Sequence, residues 1–214
     1  MSSPTMMPMS LEEIAQAVQG RLIAGTAAVN VPAATSAFTD SRQIVEGSVF
    51  VAIAGERVDG HDYVPRVGAQ GAVAAIVDHE IVDAGVPQIV VEDTVLALGA
   101  LAKHNIERRR ALGTPFTVVG ITGSVGKTTT KDLMKALLSR MGSTVAPVGS
   151  FNNEIGLPLT SLKVNAETRF LVAEMGANHV GEIANLTSLV PPDIAVVLKV
   201  GVAHLGEFGS AERI

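Results

Sequence analysis

The chain has 214 residues, 47% of them hydrophobic and 17% charged, enough apolar material for one large or two small domains and too much for a disordered chain. A formal net charge of −5 argues against a nucleic-acid partner. With no cysteine, disulfides, thiolate catalysis and cysteine-ligated metals are excluded, and nothing points away from the cytoplasm. Aromatic residues make up only 3%, so the core must be Val, Ala, Leu and Ile, a composition that suits a parallel sheet under helices. No apolar run is long enough to span a membrane.

Met1–Met9 lacks the basic start and long apolar run of a signal peptide and is expected to be loose. Ser10-Leu11-Glu12-Glu13 is a capping box, opening a helix through Ile14, Ala15 and Val18 that stops at Gly20. A short strand is expected at Arg21–Ala24, then a turn-rich connection over 25–34. Thr39-Asp40-Ser41-Arg42 precedes a strand at Gly47–Ile53, and Gly55–Tyr63 follows it. Arg42 and Arg57 are natural phosphate partners, because a guanidinium forks onto anionic oxygens. The same clusters are ordinary turn formers, and pattern alone favours that reading. A short helix over Tyr63–Gln70, strands at Ala72–Val77 and Gln88–Val91, and a helix from Asp93-Thr94 come next. That helix carries Val95, Leu98, Leu101 and Ala102 on one face and ends in Arg108-Arg109-Arg110, a basic run expected to be solvated and matched to the helix dipole. Ala111–Pro115 reads as a linker dividing domains 1–113 and 114–214.

The second domain opens on the strand Thr117–Thr122 and the turn Gly123-Ser124-Val125-Gly126-Lys127-Thr128-Thr129, followed by a helix to Met141 with Leu133, Met134, Leu137, Leu138 and Met141 at helical spacing. A strand feeding a helix through glycines suits a phosphate: the first helical turn has unpaired N–H groups, and glycines let the backbone close round an anion. Lys127 is placed to reach the β and γ phosphates and Thr128 to bind Mg²⁺. The strict P-loop pattern would need glycine where Ile121 stands, so only the shorter Gly-x-x-Gly-Lys-Thr is present. Strands at Ser143–Ala146, Arg169–Ala173 and Asp193–Val200, with a helix at Gly181–Val190 ended by Pro191-Pro192, give the order β-α-β-β-α-β. The expected fold is a mostly parallel three-layer α/β sheet. Ligands in such sheets bind beyond the carboxyl ends of the strands. Four polar clusters fall there: the glycine turn, Asn152-Asn153, Glu174 and His204. Glu174, directly after a buried strand, is the place for a Mg²⁺ carboxylate. A histidine at 204 is by its type more often a core or loop residue than a Mg²⁺ ligand. His79 and His104 are expected to be surface residues without a role, while His179 is a weaker candidate for the same cleft.

Taken together, Gly123–Thr130, Phe151-Asn-Asn-Glu-Ile-Gly-Leu-Pro158, Glu174-Met-Gly-Ala177 and Ala203-His-Leu-Gly-Glu-Phe-Gly209 resemble the Mur ligases of peptidoglycan synthesis. Thr39–Arg42, Gly47–Ala52, Gly55-Glu56 and Asp59-Gly-His61 extend the resemblance to nearly the whole chain from about Ser10. Asn-Asn-Glu-Ile-Gly and Glu-Met-Gly-Ala fit the branch that adds D-alanyl-D-alanine. The resemblance implies a UDP-substrate-binding domain (1–113) followed by part of a P-loop-type ATPase domain (114–214). It also implies that ATP phosphorylates the C-terminal carboxylate of UDP-N-acetylmuramoyl-tripeptide, after which the amine of D-alanyl-D-alanine attacks the acyl phosphate. By similarity Gly123, Ser124, Val125, Gly126, Lys127, Thr128 and Thr129 bind ATP, with Lys127 and His204 catalytic. Thr128 and Glu174 hold one Mg²⁺, and His204 helps hold a second. Asn152 and Asn153 lie near nucleotide or acceptor, and Ser41, Arg42 and His61 receive the UDP moiety. Lys199 and Val202 depart from the residues usual in relatives. Relatives run to roughly twice this length. The lysine they carbamylate to bridge the metals, the adenine pocket and the dipeptide-binding domain are therefore expected beyond Ile214. Since Ser210–Ile214 reads as the opening of a helix, a fragment is expected, monomeric, cytoplasmic and inactive as a ligase by itself. The alternatives are a module that only binds the UDP-sugar peptide or the nucleotide, and a generic P-loop NTPase.

Overall fold

The computed structural model describes residues 5–23 and 32–199, and the chain divides into two compact units, Met1–His104 and Asn105–Ile214. Helix α1 (Leu11–Ala17) starts where Ser10 Oγ accepts the Glu13 N–H at 3.2 Å. It is turned off by Gln19, whose φ is +53°, and not by Gly20 as expected. Gly20 is needed for a different reason: a Cβ there would sit 2.6 Å from Ile89 Cγ2. Strands β1 (Arg21–Ile23), β2 (Ser36–Phe38), β3 (Ser48–Val51), β4 (Ala72–Val77) and β5 (Gln88–Val90) form one sheet in the order β1-β5-β4-β3-β2, parallel throughout except for β1. Every residue of β4 is buried, so its unbroken Ala/Val/Ile run reflects a strand covered on both faces. Helix α2 (Val64–Val67), with 3₁₀ turns on either side, packs Val64 and Val67 against Phe50, Ala75 and Val77.

Two further expectations about elements fail in this unit. The N-terminal segment is not loose from Met6 onward: Met6, Met7 and Met9 are buried. The Met6 N–H donates to Thr35 O at 2.7 Å, and Met9 pairs with Ala34. The three-residue strand β2, which lies just beyond that pairing, has no counterpart in the expected element order.

Helix α3 (Thr94–Ala111) starts on Asp93, whose Oδ1 accepts the N–H of Val95 and Leu96 at 2.7 and 2.9 Å, and the division between the units falls inside it. Its basic end is only partly solvated: Arg108 and Arg110 are half-exposed, but Arg109 is not. Arg109 is 2% exposed and lies 4.9 Å from the Phe116 ring. Its Nε donates to Thr168 O at 2.9 Å, one terminal nitrogen to Thr114 Oγ1 at 2.9 Å and the other to Pro115 O at 3.0 Å. Burial pushes its pKa down. A guanidinium presents five N–H donors in a fixed fork, which is what three converging acceptors at a chain reversal require.

The second unit contains β6 (Thr117–Thr122), α4 (Lys127–Leu138), β7 (Thr144–Val145), α5 (Gly156–Ser161), β8 (Phe170–Glu174), α6 (Glu182–Leu189) and β9 (Ile194–Val197). The sheet order is β7-β8-β6-β9, all parallel. Successive strand residues face opposite sides. Val118, Leu171 and Ala173 pack with Ile106 of α3, Leu157 of α5 and Leu186 of α6. Val119, Ile121 and Val172 pack with Met134 and Leu138 of α4. Three layers result, as expected, although α5 was not foreseen and α4 ends at Leu138, short of Met141. Only part of the apolar periodicity of α4 meets the sheet: Leu133, Leu137 and Met141 are exposed, and the one fully buried residue of the helix is Lys131. At the opposite end of the sheet Asp193 joins two strands: its N–H donates to Val118 O at 2.9 Å, and its Oδ2 accepts the Val118 N–H at 2.7 Å.

Candidate active site

The turn after β6 is shaped by two glycines. Gly123 has φ +138°, and a Cβ there would lie 2.8 Å from Leu198; Gly126 has φ +87° and is the N-cap of α4. Both conformations are costly for any residue with a side chain. The end of β9 anchors the turn, with Leu198 N–H donating to Thr122 O at 2.9 Å and Ser124 N–H to Lys199 O at 3.0 Å. Lys199, the departure noted above, thus contributes its backbone carbonyl here. The Lys127 ammonium folds back on Gly123 O at 2.7 Å.

Beside this turn lies a cavity of about 310 Å³. Its lining takes in 124–129 of the turn together with Ser150, Asn152 and Glu174. The parallel sheet brings these together: β6 delivers the turn, and neighbouring β8 ends on Glu174. Glu174 is 1% exposed. Its Oε1 accepts from Asn152 Nδ2 at 2.9 Å and from Thr128 Oγ1 at 3.4 Å, while Oε2 is buried without a hydrogen-bond partner. A buried carboxylate oxygen without a donor is costly unless a cation meets it. Carboxylate and hydroxyl oxygens are the donor set a hard ion such as Mg²⁺ prefers. The residues present therefore fit Mg²⁺.

The two asparagines part company. Asn152 faces Glu174, and its backbone O accepts the Gly176 N–H at 2.9 Å. Asn153 turns its Oδ1 to the Gly156 N–H at 2.9 Å, capping α5. His179 is exposed and does not line the cavity. His204 and Val202 lie outside the described residues.

In the first unit the two polar clusters flanking β3 do meet. They enclose a cavity of about 540 Å³ lined by Thr39–Arg42, Phe50, Ile53, Val58, Gly60 and Tyr63. The backbone of Gly60 approaches so closely that a Cβ would sit 2.6 Å from Ile53 N. Arg42 is not free to fork onto an anion: its Nε and one terminal nitrogen chelate Asp40 at 2.9 and 2.8 Å. The Arg42 side chain, and then its backbone N–H, hold the Asp40 carboxyl down at about 2. Arg57 is exposed and outside the lining. His61 is 4% exposed and also outside it. Because Asp78 N–H donates to His61 Nε2 at 3.2 Å, the ring proton is assigned to Nδ1, which donates to Asp59 Oδ1 at 2.6 Å. His61 thereby ties the Asp59 turn to the end of β4. His79 and His104, expected to be idle, both have partners: His79 stacks on His61 and bonds Asp78, and His104 Nε2 meets Glu13 Oε1 at 2.9 Å.

Sequence reasoning missed Lys131 and Ser150 near the cavity beside the glycine turn and Asp40 beside the other. Lys131 was signalled by its place one turn after Lys127.

Two family models match the chain: "Mur ligase family, catalytic domain" over residues 35–106 and "Mur ligase middle domain" over residues 121–214. A UDP-N-acetylmuramoyl-tripeptide--D-alanyl-D-alanine ligase of Mycobacterium tuberculosis is 45% identical over 194 residues, covering 82% of this chain and 38% of that protein. Among solved structures, MurF from Acinetobacter baumannii matches with a TM-score of 0.84 at 39% identity, over 97% of this chain and 44% of that one. MurF ligase from Thermotoga maritima in complex with ADP matches with a TM-score of 0.72 at 40% identity, over 83% of this chain and 40% of that one. The chain thus spans less than half the length of these relatives.

Proposed function

The chain belongs to the Mur ligase family, and we propose that it supplies the substrate-capturing and phosphate-handling parts of an ATP-dependent, ADP-forming ligase. The reaction proposed joins D-alanyl-D-alanine to UDP-N-acetylmuramoyl-tripeptide through an acyl phosphate. The observation that carries this reading is the convergence of Lys127, Thr128 and the unpaired Oε2 of Glu174 on one cavity at the mouth of a glycine turn. Residues 114–214 take the nucleotide in this assignment, and residues 1–113 take the UDP substrate in the 540 Å³ cavity.

The chemistry follows from charge. Amide formation at a carboxylate needs a better leaving group than oxide, and phosphorylation provides one. The attacking carboxylate and the γ-phosphate are both anionic, so the site must neutralise charge as they approach. Bound Mg²⁺, held by Thr128 and Glu174, would supply Lewis-acid neutralisation at the phosphate oxygens. Lys127 leaves Gly123 O to meet the transferring phosphoryl group. The N-terminal N–H groups of α4 bind the phosphates from below, and Asn152 keeps Glu174 oriented. His204 is assigned to a second cation from the family resemblance alone. Asp40 occupies the Nε and Nη2 edge of Arg42 beside the UDP cavity, so Arg42 contributes its charge there and not a free bidentate fork.

Calorimetry with Mg-ADP and, separately, UDP-N-acetylmuramoyl-tripeptide tests the reading on the 214-residue chain. Binding of both is expected. No heat with Mg-ADP removes the nucleotide assignment, and no heat with the UDP substrate removes the other. The 540 Å³ cavity is built wholly within the first unit, which favours capture of the UDP substrate by this chain even without turnover. An assay of phosphate release with both substrates and ATP separates capture from catalysis, and no turnover by the 214-residue chain is expected.

A further inference from the structure

Lys131 is a lysine where a helix facing a sheet would ordinarily place a hydrophobic residue. It is 2% exposed, and all three protons of its ammonium are used: Nζ donates to Pro147 O at 3.1 Å, to Gly149 O at 3.0 Å and to Asp132 Oδ1 at 3.0 Å. Asp132 is largely exposed, so the buried charge is met mainly by two backbone carbonyls of the segment that follows β7. A hydrophobic residue would have filled the same space without the cost of burying an ion. What the ammonium adds is a fixed distance between α4 and residues 147–149.

That segment leads directly into Ser150 and Asn152, both in the lining of the phosphate cavity, and Asn152 is the stronger of the two hydrogen bonds to Glu174 Oε1. Lys127 and Lys131 stand one helical turn apart on α4. We propose that Lys131 is a positioning residue for nucleotide and metal binding: it locks the Pro147–Asn152 segment to the helix that carries Lys127 and Thr128, so that both walls of the cavity are held by one element. The proposal rests on the assignment of that cavity to Mg-nucleotide. Groups that orient a metal ligand are typically worth 10–100-fold in affinity, and Lys131 acts one step further out.

The test uses the 214-residue chain and two readouts. Hydrogen exchange without ligand compares wild type with Lys131→Met, which keeps the stem and removes the ammonium. Exchange at Gly176, whose N–H donates to Asn152 O at 2.9 Å, is expected to accelerate while β6 and the body of β8 stay protected. Calorimetry with Mg-ADP is expected to show binding weakened about tenfold. The chain has no native cysteine, so K131C can be aminoethylated in denaturant and refolded, restoring an ammonium at the same reach. Recovery of wild-type affinity by the aminoethylated form, but not by the same variant capped with a neutral group, is the signature of positioning by charge. If K131M does not fold by circular dichroism, K131Q takes its place: its amide is one atom shorter and cannot span both carbonyls, so weakened binding is again expected. Wild-type exchange at Gly176, or wild-type Mg-ADP affinity in a folded K131M or K131Q, overturns the proposal while leaving the nucleotide assignment intact. Failure of the wild-type chain to bind Mg-ADP overturns that assignment and the positioning role together.

Discussion

Replacing Glu174 by glutamine is expected to make the cation-free protein more stable and to abolish the Mg²⁺-dependent part of its ADP affinity. The side chain is 1% exposed; one oxygen takes donors at 2.9 and 3.4 Å and the other takes none. Confining an uncompensated carboxylate costs several kcal/mol. Glutamine keeps the volume and leaves its oxygen with Asn152, but puts an unpaired neutral amide in place of the charge, at a cost of about 1–3 kcal/mol. The difference is a gain of about 1–2 kcal/mol, or a Tm raised on the order of 5–10 °C for a unit of about 110 residues. Calorimetric melting in a chelator measures the first half. Titration of ADP with and without Mg²⁺ measures the second, where the Mg²⁺-dependent increase in affinity should vanish. An E174Q protein that melts below wild type in chelator, or that still binds ADP more tightly with Mg²⁺, refutes the reading of Oε2 as a cation ligand.

Arg109→Met should destabilise the protein by about 1–3 kcal/mol in urea unfolding, because it strands the buried Thr168 carbonyl and frees two part-buried acceptors at Thr114 and Pro115; R109K should recover only part, since one ammonium cannot reproduce the fork. Gly176→Ala would place a Cβ 2.8 Å from the Asn152 amide, so Mg-ADP affinity should drop with little change in Tm; unchanged affinity would show that Asn152 does not need its position. Asp40 has its carboxyl depressed to about 2 from an ordinary 3.8 by the Arg42 side chain and then its backbone N–H. The stabilisation it gives its loop is therefore complete above pH about 4 and lost as pH falls through about 2. In an NMR titration the Arg42 Nε–H signal should move over that window, and in R42A the Asp40 carboxyl should titrate higher than in wild type but still below 3.8, since the backbone N–H at position 42 still donates to it.

Much of this was legible because the local signals agreed with one another. β4 is an unbroken apolar run, β6 leads into glycines that must take positive φ, and Ser10 caps its helix as its spacing indicates. The misses come from long-range contacts that local rules do not contain. The Met6–Met9 segment reads as a tail but is held by pairing to Thr35 and Ala34. The Arg108–Arg110 run obeys the dipole rule, yet Arg109 is drawn inward by carbonyls at 115 and 168 that no local window includes. Helix α5 hides behind Gly156 and Pro158, poor helix formers. Both sit in its first turn, where a missing N–H costs nothing. In α4 the apolar periodicity is genuine, but it cannot distinguish Met134 and Leu138, which meet the sheet, from Leu133 and Leu137, which do not. At the candidate sites orientation was what local sequence could not show: Asn153 bonds the nearby Gly156 N–H and His61 bonds the Asp59 carboxylate and the Asp78 N–H, while Asn152 and Glu174 line the cavity.

The paired bonds between Asp193 and Val118 have a reach longer than their own length. β9 runs from that point along β6 and finishes against the glycine turn, where Leu198 lies on Gly123 and Lys199 holds the Ser124 N–H. β9 therefore works as a ruler: Asp193 sets its zero at one end of the sheet, and the glycine turn is read off at the other. A one-residue slip at Asp193 would invert the faces of β9 and take Leu198 off the turn. The shape of the glycine turn is thus calibrated at the far end of the sheet, by a side chain that never touches it.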